Sequence, residues 1–422
     1  MVGNILGRLH RCLEIVRTKI TKYEYAKTIE RLRSRAVKGP IRVLFLVNES
    51  SKWKCQAVCD EMFRRGYKLT IGLTVADPEA NKSVDIQLKK MDETERFFIG
   101  RGFCVKRVFD IKKRKPIDIR SLHPDVVFYP HPWSIHKKQL PAQCASFAIT
   151  CYIPYFVPTF GNPGMHLGQA VHKEIFAHFV LNKEWEHYYR QIYDKLVYAG
   201  EIIGLGHPMI DDLIKNKVDE KHDEDGVVIY APHWSVPGKA LNSFLDLSTF
   251  MINGKIILDY AQRHPDVKWA FKPHPTLRNV LWKYGFMTRA EVDEYYGEWE
   301  KIAEACYTGN YVDLFRRSRA IITDCDSFLI EYACTKKPII HLISPVPNKR
   351  KYSPSQALFD TYYKVHDNLE LLKVLDDVVV GRCDKNRDAR LTALDKSGLL
   401  KSSAANSIVG YIENVLKIDT DD

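Results

Sequence analysis

Apolar residues recur at every third or fourth position near the start of the chain, which predicts an amphipathic helix over residues 4–33. The apolar stripe consists of Ile5, Leu6, Leu9, Leu13, Val16, Ile20 and Tyr23. After Gly39 and Pro40, short apolar runs alternate with helical patterns. The predicted strands are 41–47, 67–75, 103–109, 125–129, 145–152 and 201–204, with the clearest helices at 81–99 and 169–195. This alternation is typical of a doubly wound α/β domain.

The same alternation starts again after a polar, highly charged segment at 215–226, which is predicted to be a linker. The predicted strands here are 227–230, 267–271, 320–323 and 338–342, and the predicted helices are 248–263, 288–305, 327–335, 367–378 and 403–416. The domain plan is therefore a helical segment (1–38), a Rossmann-like domain (39–214), the linker (215–226), a second Rossmann-like domain (227–400) and a C-terminal helix (401–422). Two such domains that face each other leave a cleft, and their ligands bind beyond the carboxyl ends of the strands.

Composition excludes several classes of protein. The 422 residues suit two domains, and a chain with 45% hydrophobic and 27% charged residues is globular. No run of 18 apolar residues exists, so no membrane-spanning helix is predicted, and charged residues interrupt the start where a signal peptide would need an apolar core. The ten cysteines lack metal-binding spacing, and neither a metal nor a cofactor is predicted.

Most of the excess positive charge lies in one segment. Lys and Arg number 63 against 52 Asp and Glu, and residues 1–40 contain ten basic and three acidic side chains, a net charge of +7 out of +11. A basic amphipathic helix fits an anionic membrane, although its apolar face equally fits its own domain or a partner subunit. The near balance elsewhere argues against nucleic acid as a partner. A non-catalytic scaffold that uses this basic segment is a further class to test.

Three polar clusters follow predicted strands of the second half, at 230–234, 272–275 and 323–327. All three fall at the edge where ligands of such sheets bind, which predicts a common site. The third cluster opens a helix, whose N-terminus suits a phosphate, and Ser327 adds a hydroxyl. The charge of Asp326 opposes a phosphate, and helix capping is the alternative role for Asp324, Asp326 and Ser327.

The loop around His274 has its own chemistry. Two prolines flank this histidine and stiffen the backbone, and Lys272 is close to it. Such a loop could hold a diphosphate, or neutral His274 could accept a proton. A structural turn with an exposed histidine is the alternative.

The ordered set of motifs resembles the CDP-glycerol glycerophosphotransferase family, which includes teichoic-acid primases and polymerases and related capsule polymerases. The matching segments are Tyr230 to Trp234, Lys272 to Pro275, Thr323 to Ser327, Lys337 with Pro338, and Gly206-His207-Pro208 with Asp211. They extend over residues 200–345, about a third of the chain.

The resemblance implies a GT-B-like enzyme with two Rossmann-type domains facing across a cleft. Its C-terminal domain would hold the CDP-alcohol donor, with His274 near the diphosphate and in a catalytic role. The donor-binding residues that it implies are Gly206, His207, Pro232, His233, Lys272, Asp324, Asp326 and Ser327. The acceptor hydroxyl would attack the β-phosphate, with release of CMP.

Two departures from the family pattern affect these expectations. Asp326 stands where the family usually has a hydroxyl residue, which leaves the donor headgroup open. The histidine-glycine-threonine-proline motif of the family's first domain is absent. His131, His166 and His172 are therefore rival candidates for the catalytic base.

The sequence thus predicts a transferase that moves a phosphoglycerol-type unit onto a hydroxyl of a lipid-linked or polysaccharide surface-polymer acceptor. It would work in the cytoplasm at the inner face of a bacterial membrane, held there by residues 4–33. The alternative is a GT-B glycosyltransferase that uses a nucleotide-sugar donor for capsule or lipopolysaccharide synthesis.

Overall fold

The computed structural model describes residues 2–36, 39–76, 83–133, 135–157, 168–193, 197–215, 225–238, 246–307, 311–346, 354–401 and 403–418. The chain divides into two compact units. Unit 1 consists of Met1–Pro158, Asn162–Asp211 and Ser402–Asp422, and unit 2 consists of Thr159–Gly161 and Asp212–Lys401.

Unit 1 is built on a parallel sheet with helices packed against it. Its strands are β1 (Arg42–Val47), β2 (Lys68–Leu73), β3 (Cys104–Arg107), β4 (Phe109–Asp110), β5 (Lys115–Pro116), β6 (Val126–Tyr129), β7 (Ile149–Tyr152), β8 (Ala177–Val180) and β9 (Glu201–Gly204). Its helices are α1 (Val2–Ala36), α2 (Gln56–Arg64), α3 (Val84–Ile99), α4 (Pro141–Cys144), α5 (Ala170–Lys173) and α6 (Lys183–Tyr193), while α7 (Pro208–Ile214) begins in this unit. Short 3₁₀ turns lie at Ser50–Lys52, Ile119–Leu122 and Lys137–Gln139.

Unit 2 repeats the plan with six strands. They are β10 (Val227–Ala231), β11 (Trp269–Phe271), β12 (Ala303–Ala305), β13 (Ser318–Thr323), β14 (Ile339–Leu342) and β15 (Tyr363–Val365). The helices are α8 (Phe250–Arg263), α9 (Leu277–Lys283), α10 (Arg289–Ile302), α11 (Val312–Arg317), α12 (Asp326–Ala333), α13 (Gln356–Phe359), α14 (Asn368–Val374) and α15 (Arg387–Ser397). A π-helical segment, Leu375–Val380, continues α14. The last helix of the chain, α16 (Ala404–Leu416), belongs to unit 1.

Both sheets have a point where the strand order reverses. The sheet of unit 1 has the order β3-β2-β1-β6-β7-β8-β9, and that of unit 2 has the order β12-β11-β10-β13-β14-β15, with parallel pairing throughout. The strand that follows β1 therefore lies toward one edge of the sheet, and the strand that follows β6 lies toward the other edge. The same holds for β10 and β13. In open α/β sheets the crevice beyond the carboxyl ends of such a strand pair is the usual ligand site. We call these two places the switch points of units 1 and 2.

The predicted α/β fold with two doubly wound halves is confirmed, but one predicted helix is wrong. The segment 169–195 contains α5, β8 and α6 instead of a single helix. Ala177, His178, Phe179 and Val180 are all buried, because this run forms an interior strand between β7 and β9. The predicted helix 288–305 likewise ends at Ile302, and a strand follows it.

The N-terminal helix packs on unit 1 with an unexpected face. Its buried positions are Thr18, Thr21, Tyr25, Thr28 and Leu32. Tyr25 donates its hydroxyl hydrogen to the carbonyl oxygen of Glu174 at 2.8 Å, and Thr28 donates to the carbonyl oxygen of Ala145 at 2.7 Å. Leu13, Val16, Ile20 and Tyr23 of the predicted stripe are instead exposed. The exposed and buried sets are offset by five residues, about 140° around an α-helix.

The C-terminal helix α16 completes the core of unit 1. Ile408, Val409, Ile412 and Leu416 are fully buried in the same cluster as the strands of that sheet. Asp211 holds the start of this helix: its carboxylate accepts the backbone N–H of Ala404 at 3.0 Å and that of Ala405 at 2.7 Å. An acidic side chain from elsewhere in unit 1 thus satisfies two N–H groups that a helix start leaves unpaired.

Candidate functional site

Strand β13 places Asp324 at the switch point of unit 2, where its carboxylate joins loops that are distant in sequence. Oδ1 accepts the backbone N–H of His233 at 2.6 Å, and Oδ2 accepts the backbone N–H of Thr249 at 2.6 Å and its hydroxyl at 3.1 Å. Burial raises the pKa of Asp324 to about 6, although these hydrogen bonds act in the opposite direction. Asp324 therefore fixes the loops, and these bonds do not cap the helix that follows it.

The three polar clusters predicted from the sequence lie together at this switch point. The backbone N–H of Lys272 donates to the carbonyl oxygen of Tyr230 at 2.8 Å, and that of His274 donates to the carbonyl oxygen of Pro232 at 3.0 Å. The rings of His233 and His274 are 5.4 Å apart between centroids. Since Asp324 binds the same His233 loop, all three segments border one place.

Both histidines of this site present the same ring nitrogen as a donor. Nδ1 of His274 accepts the backbone N–H of Thr276 at 3.2 Å, and Nδ1 of His233 accepts that of Ser235 at 3.2 Å. Because a backbone N–H can only donate, the hydrogen of each neutral ring is on Nε2. Burial, followed by the charge of Lys272, lowers the pKa of His274 to about 4, so this ring is neutral at pH 7. Two Nε2–H donors suit phosphate oxygens, whereas a base would need an unprotonated Nε2.

Lys272 adds a buried positive charge to the site. Its ammonium nitrogen lies 5.2 Å from the ring centroid of Tyr311 and 5.8 Å from that of Phe328. Burial lowers the pKa of Lys272, while Cys306, Cys325 and Glu331 have the opposite effect. Within the described parts of unit 2, no carboxylate is within ion-pair distance of this ammonium. A buried cation is costly without a counter-charge, so this position favours an anionic ligand.

Helix α12 does not start with the aspartate cap that the sequence offered as an alternative. Cys325 occupies the N-cap position without a side-chain capping bond, and Asp326 is the first helical residue and is buried. The Ser327 hydroxyl lies 3.4 Å from the Cys325 sulfur. Neither Asp324 nor Asp326 is therefore the N-cap residue. This helix start adds the positive end of a helix dipole to the site, and Asp326 adds a carboxylate.

Lys337, from the lysine-proline motif of the family that the sequence resembles, binds backbone groups of its own sheet. Its ammonium donates to the backbone carbonyl oxygens of Arg316 and Ser318, at the start of β13. It thus lies at the amino edge of the sheet, opposite to the switch point. The sequence reasoning missed Thr249 and Ser235, because each is recognisable only through its contact with Asp324 or His233.

The switch point of unit 1 contains a second polar cluster, centred on His131 after β6. The amide nitrogen of Asn48, which follows β1, is 2.9 Å from Nδ1 of His131, and the Lys52 ammonium is 3.1 Å from Nε2. Lys52 also pairs with Glu49 at 2.6 Å. Tyr155 stands beside the imidazole, with ring centroids 5.2 Å apart. The sequence predicted His131 but not Asn48, Glu49 or Lys52, although the end of β1 indicated their place.

The other two candidates for the catalytic base in unit 1 are His172 and His166. His172 is fully buried, and its ring packs against Trp133, Tyr152 and His178 at centroid distances of 5.3, 4.8 and 5.5 Å. A substrate cannot reach this ring in the present arrangement. His166 lies outside the described residues.

Gly206 and His207 make their described contacts inside unit 1. Gly206 has a φ of +98°, and a Cβ there would lie 2.7 Å from the Cβ of Ala404. His207 is buried, with Nε2 2.8 Å from the carbonyl oxygen of Pro154, and burial lowers its pKa to about 4. These contacts explain the glycine and the histidine as parts of the packing of α16 and the 154 loop. Their role in donor binding stays a prediction.

Two general properties of the described residues bear on chemistry. They include no group of three or more His, Cys, Asp or Glu side chains that could hold a metal ion. No helix among them has the length and hydropathy needed to cross a membrane.

Comparisons with known proteins find likeness in fold only. No family model matches the chain, and no curated protein matches it. Solved structures do match. Wall teichoic acid polymerase TagF has a TM-score of 0.58 at 13% identity, covering 98% of both chains, and a TagF structure soaked with CDPG has a TM-score of 0.53 at 13% identity and the same coverage.

Sugar-nucleotide enzymes also share the fold. A putative UDP-N-acetylglucosamine 2-epimerase from Listeria monocytogenes has a TM-score of 0.52 at 13% identity, covering 90% of this chain and 98% of that chain. The UDP-GlcNAc 2-epimerase from Neisseria meningitidis, bound to UDP-GlcNAc, has a TM-score of 0.52 at 14% identity, covering 89% and 100%. The chain therefore has an α/β, GT-B-like fold with two units.

Proposed function

We propose that this protein is a transferase that binds a nucleotide diphosphate-linked donor at the switch point of unit 2. The observation that carries the proposal is the convergence of two Nε2–H donors, from His233 and His274, with the buried Lys272 ammonium and the start of α12. Each of these groups stabilises phosphate charge. The carboxylate of Asp326 disfavours a bare phosphate and suits a donor whose headgroup carries hydroxyls.

The donor class that we propose is a CDP-alcohol of the CDP-glycerol type. The ordered motifs support it, and so does the likeness of the fold to that of TagF, which has been soaked with CDPG. In the reaction, an acceptor hydroxyl oxygen forms a bond to the β-phosphorus while the bond from that phosphorus to the CMP oxygen breaks. The hydroxyl proton passes to a base, and a phosphodiester and CMP are the products.

We assign the acceptor hydroxyl to unit 1 and the base to His131. This ring follows β6 at the switch point and is only partly buried, whereas His172 has no exposed surface. Trp133 and Tyr155 line the same place, and aromatic faces of this kind suit the apolar face of a sugar or polyol. The acceptor would be the growing end of a surface polymer, lipid-linked or polysaccharide.

The test of this function is product analysis with the full-length protein. We expect CMP to form from CDP-glycerol or CDP-ribitol when a polymer acceptor is present, and the phosphodiester to appear on the acceptor in equal amount. A thermal-shift panel of CDP-alcohols, CMP-sugars and UDP-sugars would identify the donor, since a ligand at about 100 times its Kd adds about 2.7 kcal/mol. Absence of both binding and turnover across the panel would refute the proposal.

A glycosyltransferase is the second candidate, because the fold is shared with proteins that handle UDP-sugars and the third cluster lacks the family's hydroxyl residue. A nucleotide-sugar donor would leave a nucleoside diphosphate as product, or CMP with a transferred sugar from a CMP-sugar. Identification of the group on the acceptor decides between the two.

We further propose that the exposed stripe of α1 docks on an anionic bilayer. Leu13, Ile20 and Tyr23 are 61%, 57% and 60% exposed and repeat at helical spacing on a side that unit 1 does not cover. Lys19, Lys22 and Lys27 are exposed on the same helix, and each basic group near anionic lipid adds about 1 kcal/mol.

Vesicle sedimentation tests this surface. We expect binding to vesicles with anionic lipid and weak binding to neutral ones, and we expect Leu13→Ser with Ile20→Ser to reduce it at least about tenfold. Ile86→Ser removes an equally exposed apolar side chain from α3 and is the matched control. Concentration-dependent self-association of the wild type that these substitutions abolish, without vesicle binding, would assign the stripe to a second copy instead.

A further inference from the structure

The imidazole of His131 lies between two side-chain nitrogens. Asn48 Nδ2 lies 2.9 Å from its Nδ1 and the Lys52 ammonium lies 3.1 Å from its Nε2. A neutral imidazole has one donor and one acceptor nitrogen, so two donors cannot both be satisfied by it. An imidazolium would oppose both of them.

The amide of Asn48 resolves this conflict. Its Oδ1 is buried and contacts no donor among the described residues. When the amide is turned by half a revolution, Oδ1 accepts the hydrogen of His131 Nδ1, and Nε2 accepts a hydrogen from Lys52. Both ring nitrogens then have a partner, and the buried oxygen is no longer orphaned. The ring is therefore neutral, with its hydrogen on Nδ1.

Lys52 is itself held in place. Its ammonium lies 2.6 Å from a carboxylate oxygen of Glu49 and 5.4 Å from the ring centroid of Tyr155. Burial raises the pKa of the Glu49 carboxyl, but the hydrogen bond and charge of Lys52 outweigh this effect and leave its pKa below the usual value. A charged partner therefore holds the ammonium beside Nε2.

We propose that Lys52 is a positioning residue for the base of the transfer reaction: held by Glu49, it fixes the tautomer of His131 and keeps the imidazole unprotonated. The inference rests on the proposed function, because it assigns His131 as that base. Lys52 does not contact the reacting atoms in this scheme. When the acceptor binds, its hydroxyl takes the place of the ammonium at Nε2, and the proton moves from the hydroxyl oxygen to Nε2. The resulting imidazolium keeps Asn48 Oδ1 on its other side.

The charges around His131 predict opposite effects of two substitutions. The titratable groups that the described structure places near the ring are Lys52, Glu49 and Tyr155, and Lys90 lies behind Glu49 at 3.9 Å. Burial raises the pKa of Tyr155, so this phenol is neutral. Lys52→Met removes a cation, which favours the imidazolium, whereas Glu49→Gln removes an anion, which disfavours it.

The experiment is an NMR titration of the imidazole carbons in the full-length protein, with the His131 signal assigned from its absence in His131→Asn. We expect the titration midpoint of His131 to rise by about one pH unit in Lys52→Met and to fall in Glu49→Gln. Lys52→Arg should restore the wild-type midpoint. Lys90→Met removes a cation that pairs with the same carboxylate but does not touch the ring, and it should leave the midpoint within about 0.3 unit. An unchanged midpoint in both Lys52→Met and Glu49→Gln would overturn the proposal.

The reaction provides a second readout. If His131 must be unprotonated, the acid limb of the pH–rate profile should shift in the same direction and by the same amount as the ring titration in each variant. A purely structural Lys52 would lower the rate equally at every pH, which contradicts the proposal. A ring titration that moves as expected in a protein without transfer activity would refute the proposed function and leave the inference about Lys52 standing. If Lys52→Met does not fold, the titration of Glu49→Gln decides alone. The His131 midpoint should then fall, and an unchanged midpoint would overturn the proposal.

Discussion

The two switch points have the same topology but opposite chemistry. In unit 2, Nδ1 of His274 and His233 accepts a local backbone N–H, which places a donor hydrogen on Nε2. In unit 1, the arrangement of Asn48 and Lys52 around His131 places the hydrogen on Nδ1 and leaves Nε2 as acceptor. One parallel-sheet plan can thus present Nε2 of an imidazole as either a hydrogen-bond donor or an acceptor, depending on which ring nitrogen a neighbouring donor contacts.

The source of that neighbour also differs. In unit 2 it comes from two residues further along the same loop, so the tautomer is set locally. In unit 1 it comes from the 3₁₀ turn after β1, more than seventy residues earlier in the chain. The arrangement in unit 2 thus lies within single loops, whereas the arrangement in unit 1 depends on the fold.

The largest expected effect breaks the acceptor side of this comparison. His131→Asn keeps a hydrogen-bonding side chain but removes the basic nitrogen, so we expect kcat/KM for transfer to fall by about 10² to 10⁴. Steady-state assays of CMP release would measure it, with the exposed His187→Asn of the same unit as control. A decrease in kcat/KM of less than threefold would rule out His131 as the base.

A somewhat smaller effect is expected on the donor side. His274→Ala removes one Nε2–H from the proposed phosphate site, and loss of one preorganised donor typically lowers kcat by about 10² to 10³. The same assay, with thermal shifts by the donor nucleotide, would show both weaker binding and slower turnover. His366→Ala, an exposed histidine on the same unit, should be neutral. Wild-type turnover in His274→Ala would place the diphosphate elsewhere.

The next prediction concerns the free-energy cost of ionising the buried carboxyl of Asp324, which joins the loops of unit 2. Its pKa is about 6 in the folded protein against a reference of 3.8, so the folded state binds the proton more tightly. Stability from this group is therefore greatest below about pH 4 and falls as the pH rises through 6, by about 3 kcal/mol.

Chemical unfolding at several pH values would measure this dependence. Asp324→Asn cannot titrate, so the wild-type advantage over this variant should shrink with rising pH over that window. Exposed Asp266→Asn is the control. A pH-independent difference in unfolding free energy between the wild type and Asp324→Asn would show that burial does not raise the pKa of Asp324.

The smallest effect concerns the packing of unit 1. Gly206→Ala would place a methyl group against Ala404 at a positive φ, and we expect a loss of about 1 to 3 kcal/mol in unfolding free energy. Adding Ala404→Gly should recover the part due to the clash. Gly297→Ala, in the open middle of α10, should instead stabilise by up to about 1 kcal/mol. Equal effects at both glycines would contradict this reading.

The sequence predicted the fold and the three clusters of unit 2 because buried strands are apolar and end at polar residues. Ala231, Phe271 and Thr323 each end such a strand, and the residues that follow meet at one edge. It did not predict β8, because this strand of four residues lies between two short helices with little turn signal.

The packing face of α1 could not be predicted for a different reason. The helix buries Thr18, Thr21 and Thr28 and leaves Leu13 and Ile20 exposed, so hydrophobicity indicated the wrong side. Threonine hydroxyls suit this contact since they can bond backbone carbonyls, as Thr28 does with Ala145. The roles of Asn48 and Lys52 depend on contacts between segments, which no local pattern reveals.

The place of α16 in unit 1 has a consequence for biosynthesis. The segment that fills the space beside α2 leaves the ribosome only after all of unit 2 has been made. Until then, Asp211 has no helix start to bind, and the apolar surface that Ile408 and Leu416 later cover stays open to water. Most of unit 1 is therefore synthesised long before the helix that completes its core.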